Sequence, residues 1–236
     1  MFKQEELKEL EKKIGYEFSE KRLLGQAVTH SSFSNEQKIN KYKNYERLEF
    51  LGDAVLELLS SQFFFETYPD MSEGEMTRLR SSMVCEPALA FCARDLDLGK
   101  YILLGKGEEA TGGRKRDSII SDVMEAVLGA IYLDGGLLEA DKFVRKFILS
   151  DLENKQLFYD SKTLLQEQVQ KEGKTLTYEL VSESGPDHEK VFVVEAVIDG
   201  KTVGRGQGRN KKTAQQQAAY QVLIGQAPKE QESKCI

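Results

Sequence analysis

Three carboxylates, Glu46, Glu49 and Asp53, are the first residues in the chain whose spacing suggests chemistry. Their steps of three and four residues place all three on one face of a helix. Like charges at these spacings repel, so the stripe is costly without a counter-charge. A bound divalent metal would remove that cost, because hard cations take oxygen ligands. The stripe therefore predicts either a metal-binding face or a solvated acidic face.

A second acidic pair favours the metal-binding interpretation. Asp122 and Glu125 lie three residues apart, and their helix face continues into the small residues Ala126 and Gly129. Small residues beside acids allow another backbone or a ligand to approach closely. Two helices that each present carboxylates from an apolar setting can build a metal site between them.

Apolar faces opposite the acids supply the packing that would position both sets. The predicted core residues are Leu48, Leu51 and Val55 on the first helix and Ile119, Val123, Val127 and Ile131 on the second. Helical spacing recurs up to about residue 152, with breaks at the glycine pairs 112–113 and 135–136, so this part is predicted to be almost entirely helical.

The chain changes character near residue 160. A helix-like segment is followed by three strand-like segments, and Asp199-Gly200 is a hairpin signal between two of them. The strands are expected at 178–182, 191–198 and 201–208, and a final helix at 211–224. The order α-β-β-β-α predicts a small α+β domain after the all-α domain. The expected boundaries are an all-α domain at 1–152, a linker at 153–159, an α+β domain at 160–226 and a flexible tail at 227–236.

A run of cations without acids lies in the second domain. Its members are Lys201, Arg205, Arg209, Lys211 and Lys212. Asn210 can cap a helix whose first turn carries two of these lysines, and a helix N-terminus with two lysines attracts phosphate. A solvated charged surface is the alternative. The glycines at 204, 206 and 208 lack the sequence of a phosphate-binding loop and are expected to permit a strand end or a tight turn.

The composition says more about the location of the protein than about its activity. The 33 basic and 39 acidic residues give a net charge of −6, so bulk charge does not indicate a nucleic-acid binder. Three cysteines without metal-type spacing favour a reduced, cytoplasmic location. No apolar run is long enough for a signal peptide or a membrane span, so no membrane partner is expected. His30 is expected to be a structural hydrogen-bonding residue, because nothing nearby completes a zinc site.

Taken together, these motifs resemble bacterial-type ribonuclease III. The segment 44–56 resembles the nuclease signature of that family, and 68–80 resembles its next block. Asp122 and Glu125 fall where the family has its second acidic pair. Three segments resemble parts of the double-stranded RNA-binding domain, which would span 160–225. These segments are 160–167, 185–188 and 210–214. The resemblance covers nearly the whole chain in order and spacing.

The resemblance implies a homodimeric, divalent-metal-dependent endonuclease for double-stranded RNA. It assigns the metal to Glu49, Asp53, Asp122 and Glu125, with Asp53 and Glu125 catalytic and Glu46 and Glu73 as acidic neighbours. Mg²⁺ is the implied metal, with Mn²⁺ able to replace it. The implied products carry 5′-phosphate and 3′-hydroxyl ends with short 3′ overhangs, and the implied substrates are ribosomal RNA precursors and structured messenger RNAs.

Further roles follow from the same resemblance. Phe50 corresponds to an aromatic residue that enters the partner subunit; simple packing inside one subunit is the alternative. RNA contacts are assigned to Thr163, Gln166, Glu167, Gln170, His188, Lys211 and Lys212. The first four share one helical face. Glu57 extends the acidic stripe without an assigned role and is expected to be solvated.

Two other functions are compatible with parts of the sequence. One is a non-cleaving RNA-binding or assembly protein with a degenerate nuclease domain, but the intact acidic set argues against it. An unrelated helical carboxylate–Mg²⁺ enzyme acting on diphosphates would explain the acids, but it would not explain the RNA-binding pattern.

Overall fold

The computed structural model describes residues 4–38, 40, 42–150, 152–184, 190–208 and 210–225, without the side chains of residues 4 and 152–160. His188, Arg209 and the predicted tail therefore lie outside the described residues. The chain forms two compact units, Met1–Leu152 and Glu153–Ile236.

The first unit is helical. Its α-helices are α1 (Gln4–Ile14), α2 (Lys21–Ala27), α3 (Ser31–Glu36), α4 (Glu46–Thr67), α5 (Glu73–Met83), α6 (Glu86–Asp95), α7 (Lys106–Ala110) and α8 (Asp117–Phe143). Short 3-10 segments at Leu98–Tyr101 and Gly113–Lys115 and a π-helical turn at Val144–Ile148 accompany them. Within the described part of this unit, β structure is limited to an isolated bridge between Thr29 and Leu103. The prediction of an almost entirely helical first domain is confirmed.

Helix α8 lies at the centre of the first unit, because apolar residues cover most of its surface. All four of its predicted core residues are buried, and so are Ile120, Met124 and Leu128 on its other sides. Helix α4 packs on α8, and its predicted core residues Leu48 and Val55 are buried, whereas Leu51 is half-buried. The predicted break at the second glycine pair is present as a kink at Gly136, where φ is 77°.

Helices α4 and α8 cross at two glycines. A Cβ atom on Gly52 would lie 1.9 Å from the backbone oxygen of Glu125, and one on Gly129 would lie 2.3 Å from the backbone oxygen of Leu48. Both distances are far below van der Waals contact, so only glycine allows the two backbones to come this close. The predicted close approach at Gly129 is confirmed, and the group that approaches is a backbone.

The second unit contains a three-stranded antiparallel sheet and two helices. Its elements are α9 (Leu152–Lys171), β1 (Leu176–Ser184), β2 (Val191–Ile198), β3 (Lys201–Gly208) and α10 (Lys211–Leu223), with strand order β1-β2-β3. Positive φ values at Asp199 (48°) and Gly200 (79°) form the predicted hairpin turn between β2 and β3. The segment 153–159, expected to be a linker, is helical and belongs to α9. The α-β-β-β-α order is confirmed.

The alternate glycines of β3 differ in part from expectation. A Cβ atom on Gly206 would lie 2.2 Å from the backbone nitrogen of Ala218, and one on Gly208 would lie 2.7 Å from that of Ala214. The strand end, one of the two expectations, is present at Gly208, whereas a tight turn is not, because β3 runs through Gly204 and Gly206. The glycines instead make room for the alanine face of α10, a long-range requirement that their local sequence does not reveal.

The close crossing of α4 and α8 predicts that a larger residue in place of Gly129 destabilises the protein. Gly129→Ala should lower the free energy of unfolding by about 1–3 kcal/mol, because the added methyl group must push two backbones apart. Urea unfolding followed by circular dichroism would measure this change.

Gly74→Ala is the matched control, because no atom lies within 4 Å of a Cβ built at this position in α5. Its stability should stay the same or rise by up to about 1 kcal/mol, as alanine favours a helix over glycine. Equal stability of the two variants would contradict the tight crossing.

Candidate active site

The two acidic sets predicted from the sequence come together at the crossing of α4 and α8. Glu49 and Asp53 lie on α4 beside Gly52, and Asp122 and Glu125 lie on α8 within two turns of Gly129. Glu49 interacts electrostatically with Asp53 and Asp122, and Glu125 interacts with all three other acids. These four residues are called the carboxylate cluster below.

The carboxylate cluster is partly removed from water. Asp53 is exposed, whereas the other three acids are half-buried. Burial, reinforced by repulsion from Asp122, raises the pKa of Glu49 to about 7. Burial, reinforced by repulsion from Asp53, raises the pKa of Glu125 to about 8. Burial and neighbouring negative charges both disfavour the ionised form of a carboxyl group and so raise its pKa. Such raised pKa values are common at functional sites.

Tyr45 contributes a hydrogen bond to the carboxylate cluster. Its hydroxyl donates to Oδ2 of Asp122 over 3.1 Å. This hydrogen bond opposes the effect of burial, which raises the pKa of Asp122. Burial and the adjacent Asp122 carboxylate raise the pKa of Tyr45 far above its ordinary value, so the hydroxyl keeps its proton and remains a donor. Tyr45 is not among the residues predicted from the sequence; its only local signal is its place directly before the acidic helix.

His30 packs behind Tyr45. Its Nδ1 atom accepts a hydrogen bond from the backbone N–H of Ser32 (3.1 Å) at the start of α3. Its ring centroid lies 5.6 Å from that of Tyr45. Burial lowers the pKa of His30, while Glu108 and other nearby acids oppose that shift. The predicted structural role of His30 is confirmed.

The sequence also predicted acidic neighbours of the carboxylate cluster. Glu46 and Glu73 are exposed, and Glu46 interacts electrostatically with Glu49. Glu57, which was expected to be solvated, keeps 42% of its side chain exposed and also forms an ion pair with Arg80 over 3.0 Å. Arg80 is on α5, and the packing of α5 against α4 brings this counter-charge to the acidic helix.

The donor chemistry of the carboxylate cluster suits a hard divalent cation, since such ions prefer carboxylate oxygens. Among the residues that the structure describes, no three His, Cys, Asp or Glu side chains are arranged so that they could hold a metal ion as they stand. Mutual repulsion is a sufficient reason for this spacing, because uncompensated carboxylates disfavour close contact. A cation would supply the missing positive charge.

The second unit exposes the predicted RNA-contacting face of α9. Leu165 and Val169 point into the core of this unit, with relative exposures of 1% and 3%. The opposite face carries the exposed residues Thr163, Gln166, Glu167 and Gln170. The periodic spacing of these four side chains therefore does place them together on the surface.

Helix α10 begins at the basic run. Asn210 accepts a hydrogen bond from the backbone N–H of Thr213 (2.8 Å), which confirms the predicted cap. Lys211 and Lys212 are exposed in the first turn, where they add their charge to the positive end of the helix dipole.

Hydrogen bonds join the described part of α9 to α10. Ser161 Oγ donates to the backbone oxygen of Gln216 (2.8 Å), and Lys162 Nζ donates to Oε1 of Gln215 (2.6 Å). These contacts hold the polar face of α9 and the basic end of α10 in a fixed relation within the unit. His188, the other predicted contact residue, lies outside the described residues.

Comparisons with known proteins agree with both units. Residues 20–152 match the family model described as Ribonuclease-III-like, and residues 161–224 match the Double-stranded RNA binding motif. A protein named Ribonuclease 3 from Bacillus velezensis is 46% identical over 222 residues, covering 93% of this chain and 89% of the relative. A Ribonuclease 3 from Shouchella clausii is 48% identical over 221 residues, covering 92% and 85%.

A solved structure resembles the first unit. It is the nuclease domain of ribonuclease III from Campylobacter jejuni, with a TM-score of 0.56 and 41% identity. The match covers 60% of this chain and 95% of the C. jejuni chain.

A helical nuclease unit followed by a double-stranded RNA-binding unit defines the class of protein. The chain belongs to the ribonuclease III family, and it is an endoribonuclease that acts on double-stranded RNA. The resemblance inferred from its motifs is confirmed. Enzymes of this family depend on a metal ion. No helix in the described ranges is long and apolar enough to cross a membrane.

The raised pKa of Glu125 predicts that the stability of the metal-free protein depends on pH. The folded value of about 8 lies above the ordinary value of 4.5, so the protein is stabilised at low pH and loses this contribution as pH rises through 8. In metal-free protein, Glu125→Gln should therefore increase stability at about pH 8.5, on the order of 1 kcal/mol, and have little effect at about pH 5. Thermal unfolding in chelator across this pH range would measure the difference.

Glu179→Gln serves as the control, since Glu179 is exposed on β1. It should not reproduce the pH-dependent gain. A Glu125→Gln effect that is the same at both pH values would contradict the raised pKa.

Proposed function

We propose that the carboxylate cluster binds Mg²⁺ and cleaves the phosphodiester, with Mn²⁺ able to replace Mg²⁺. The observation that carries this proposal is the convergence of four acids from two helices at one glycine crossing. Partial burial of Glu49, Asp122 and Glu125 makes the negative charge of the cluster costly, and a divalent cation offsets the cost. When bound, the metal would polarise the phosphodiester and lower the pKa of a bound water.

The residues of the chain have distinct parts in this proposal. Glu49, Asp53, Asp122 and Glu125 are the ligands, and Asp53 and Glu125 are also the catalytic residues. Because Glu49 and Glu125 have raised pKa values, cation binding would release protons from them and become tighter as pH rises. Glu46 and Glu73 add negative potential around the cluster without contacting the reacting atoms.

The proposed reaction is hydrolysis. A water oxygen attacks phosphorus, the bond from phosphorus to the 3′-oxygen breaks, and the leaving oxygen takes a proton. This gives 5′-phosphate and 3′-hydroxyl ends. Two copies of the site on one duplex would cut both strands and leave short 3′ overhangs. We propose ribosomal RNA precursors and structured messenger RNAs as cytoplasmic substrates, because both contain duplex segments.

We propose that the second domain recognises duplex shape. Its suggested limits are 160–226, after a nuclease domain at 1–152 and a connecting segment at 153–159. The exposed polar face of α9, with Thr163, Gln166, Glu167 and Gln170, would contact 2′-hydroxyls in the minor groove, together with His188. Lys211 and Lys212 would contact phosphates. Such domains span about 16 base pairs of double-stranded RNA.

The proposed assembly is a homodimer through α4. Phe50 is 81% exposed, and two further apolar residues on the same helix, Leu58 (55%) and Phe65 (71%), follow at steps of eight and seven. Leu58 and Phe65 border a groove of about 610 Å³ that Met76 of α5 also lines. A second copy would cover this stripe with the same surface. The related C. jejuni nuclease domain is described as having a region involved in dimer formation.

The first test separates cleavage from binding. Asp53→Asn should nearly abolish cleavage of a long RNA duplex in Mg²⁺, because it removes one negative oxygen while preserving side-chain size. RNA affinity, measured by filter binding in Ca²⁺ or chelator, should stay within about twofold, since the second unit supplies it. Cleavage at the wild-type rate would rule out the assigned cluster.

Lys211→Ala/Lys212→Ala provides the reciprocal control. It should weaken binding to all duplex sequences alike and lower the salt slope by up to roughly 1 per lost phosphate contact, with cleavage recovered at saturating RNA. Lys174→Ala, at a lysine paired with Glu172 (2.7 Å), should leave the slope unchanged. A wild-type slope in the double variant would mean that the two lysines form only a solvated surface.

The dimer proposal predicts the effect of Phe50→Ala. Removing an aromatic residue from the centre of an interface costs about 2 kcal/mol or more, so the variant should shift toward monomer at micromolar concentration. Sedimentation velocity would detect the shift.

Leu138→Ala is the control for Phe50→Ala, because Leu138 is similarly exposed (68%) but lies on α8 beyond its kink. It should sediment as the wild type does. If the Phe50 variant also stays dimeric and folded, the interface lies elsewhere.

A further inference from the structure

The geometry points to Tyr45 as a positioning residue for Asp122. We propose that its hydroxyl holds Oδ2, so that Asp122 keeps one orientation and its carboxylate would be in place to bind the metal. This inference rests on the proposed function of the carboxylate cluster, and it adds a residue that lies outside the acidic set.

The Tyr45 side chain is buried, with a relative exposure of 4%. Its backbone N–H donates to the Thr29 oxygen (2.9 Å), and its carbonyl accepts hydrogen bonds from the N–H groups of Leu48 (2.8 Å) and Glu49 (2.9 Å). The backbone of Tyr45 is therefore held both by the segment before α3 and by the first turn of α4. These hydrogen bonds fix the position from which its hydroxyl reaches Asp122.

The segment before α3 that holds Tyr45 is itself held by hydrogen bonds to residues outside α4 and α8. His30 donates its backbone N–H to the Leu103 oxygen (3.0 Å), and the Leu103 N–H donates to the Val28 oxygen (2.8 Å). The His30 ring lies against Tyr45 with an interplanar angle of 55°. Rotation of the phenol away from Asp122 would require this packed segment to move.

A neutral donor suits this position for an electrostatic reason. Asp122 is repelled by Glu49 and Glu125, so without a fixed partner its carboxylate would tend to turn away from them. A lysine or arginine in place of Tyr45 would hold Asp122 but would also neutralise the cluster and compete with the cation. The phenol orients the carboxylate without adding positive charge. Hydrogen bonds behind metal ligands commonly contribute to affinity in this way.

The test uses the full-length protein, freed of metal, and Mn²⁺ as the probe. Tyr45→Phe removes the hydroxyl but keeps the ring, and it should weaken Mn²⁺ binding roughly 10- to 100-fold as measured by the electron paramagnetic resonance of free Mn²⁺. In cleavage assays the Mg²⁺ concentration for half-maximal rate should rise similarly, while the rate at saturating Mg²⁺ stays near the wild-type value. General destabilisation would not produce this separation.

Tyr101→Phe is the matched control. Tyr101 is equally buried (4%), and its hydroxyl also donates to a carboxylate, Oε1 of Glu9, over 2.8 Å. This variant should bind Mn²⁺ as the wild type does, and thermal unfolding of both variants reports any loss of fold.

Asp122→Asn distinguishes failure of this inference from failure of the proposed function. If Asp122→Asn binds Mn²⁺ normally, the proposed metal cluster is wrong. If Asp122→Asn weakens binding but Tyr45→Phe does not, the cluster stands and the positioning role is overturned. Should Tyr45→Phe unfold, Tyr45→Leu, which also removes the hydroxyl and stays apolar, replaces it. Wild-type Mn²⁺ affinity in a folded leucine variant would equally overturn the role.

Discussion

The close crossing of α4 and α8 is the constraint on which the rest of the nuclease unit depends. Gly52 and Gly129 let each helix touch the backbone of the other, and the acids lie within two turns of this contact on both helices. Larger residues would separate the backbones and move the two acidic sets apart. Packing and chemistry are therefore coupled, since the apolar face that buries α8 also fixes the direction of its carboxylates.

The carboxylate cluster shows how a fold can hold charges that repel. Burial raises the pKa of Glu49 and Glu125, so the metal-free protein carries an electrostatic cost at this place. The cost is tolerated because the surrounding core is extensive, with Val123, Val127 and Ile131 fully buried beneath the acids. Partial relief comes from a neutral hydrogen bond, from Tyr45 to Asp122, which leaves the negative potential available to a cation.

Close packing through small residues is also a feature of the second unit. Glycines on β3 and alanines on α10 allow strand and helix to approach closely, which leaves the polar face of α9 and the basic start of α10 at the surface. The chain as a whole has a net charge of −6, so the exposed lysines at the start of α10 stand out against an acidic average. The carboxylate cluster lies in the first unit, and the exposed lysines at the start of α10 lie in the second.

The sequence by itself determined the local features: the helical and strand periods, the hairpin at Asp199-Gly200, the cap at Asn210 and the faces on which the acids lie. These features depend on neighbouring residues, and periodicity and turn chemistry therefore encode them. Tertiary structure alone decided which distant residues meet. Tyr45 reaches Asp122 across 77 positions, and Arg80 of α5 pairs with Glu57 of α4. Such partners are chosen by how helices pack in space, and no local pattern carries that information.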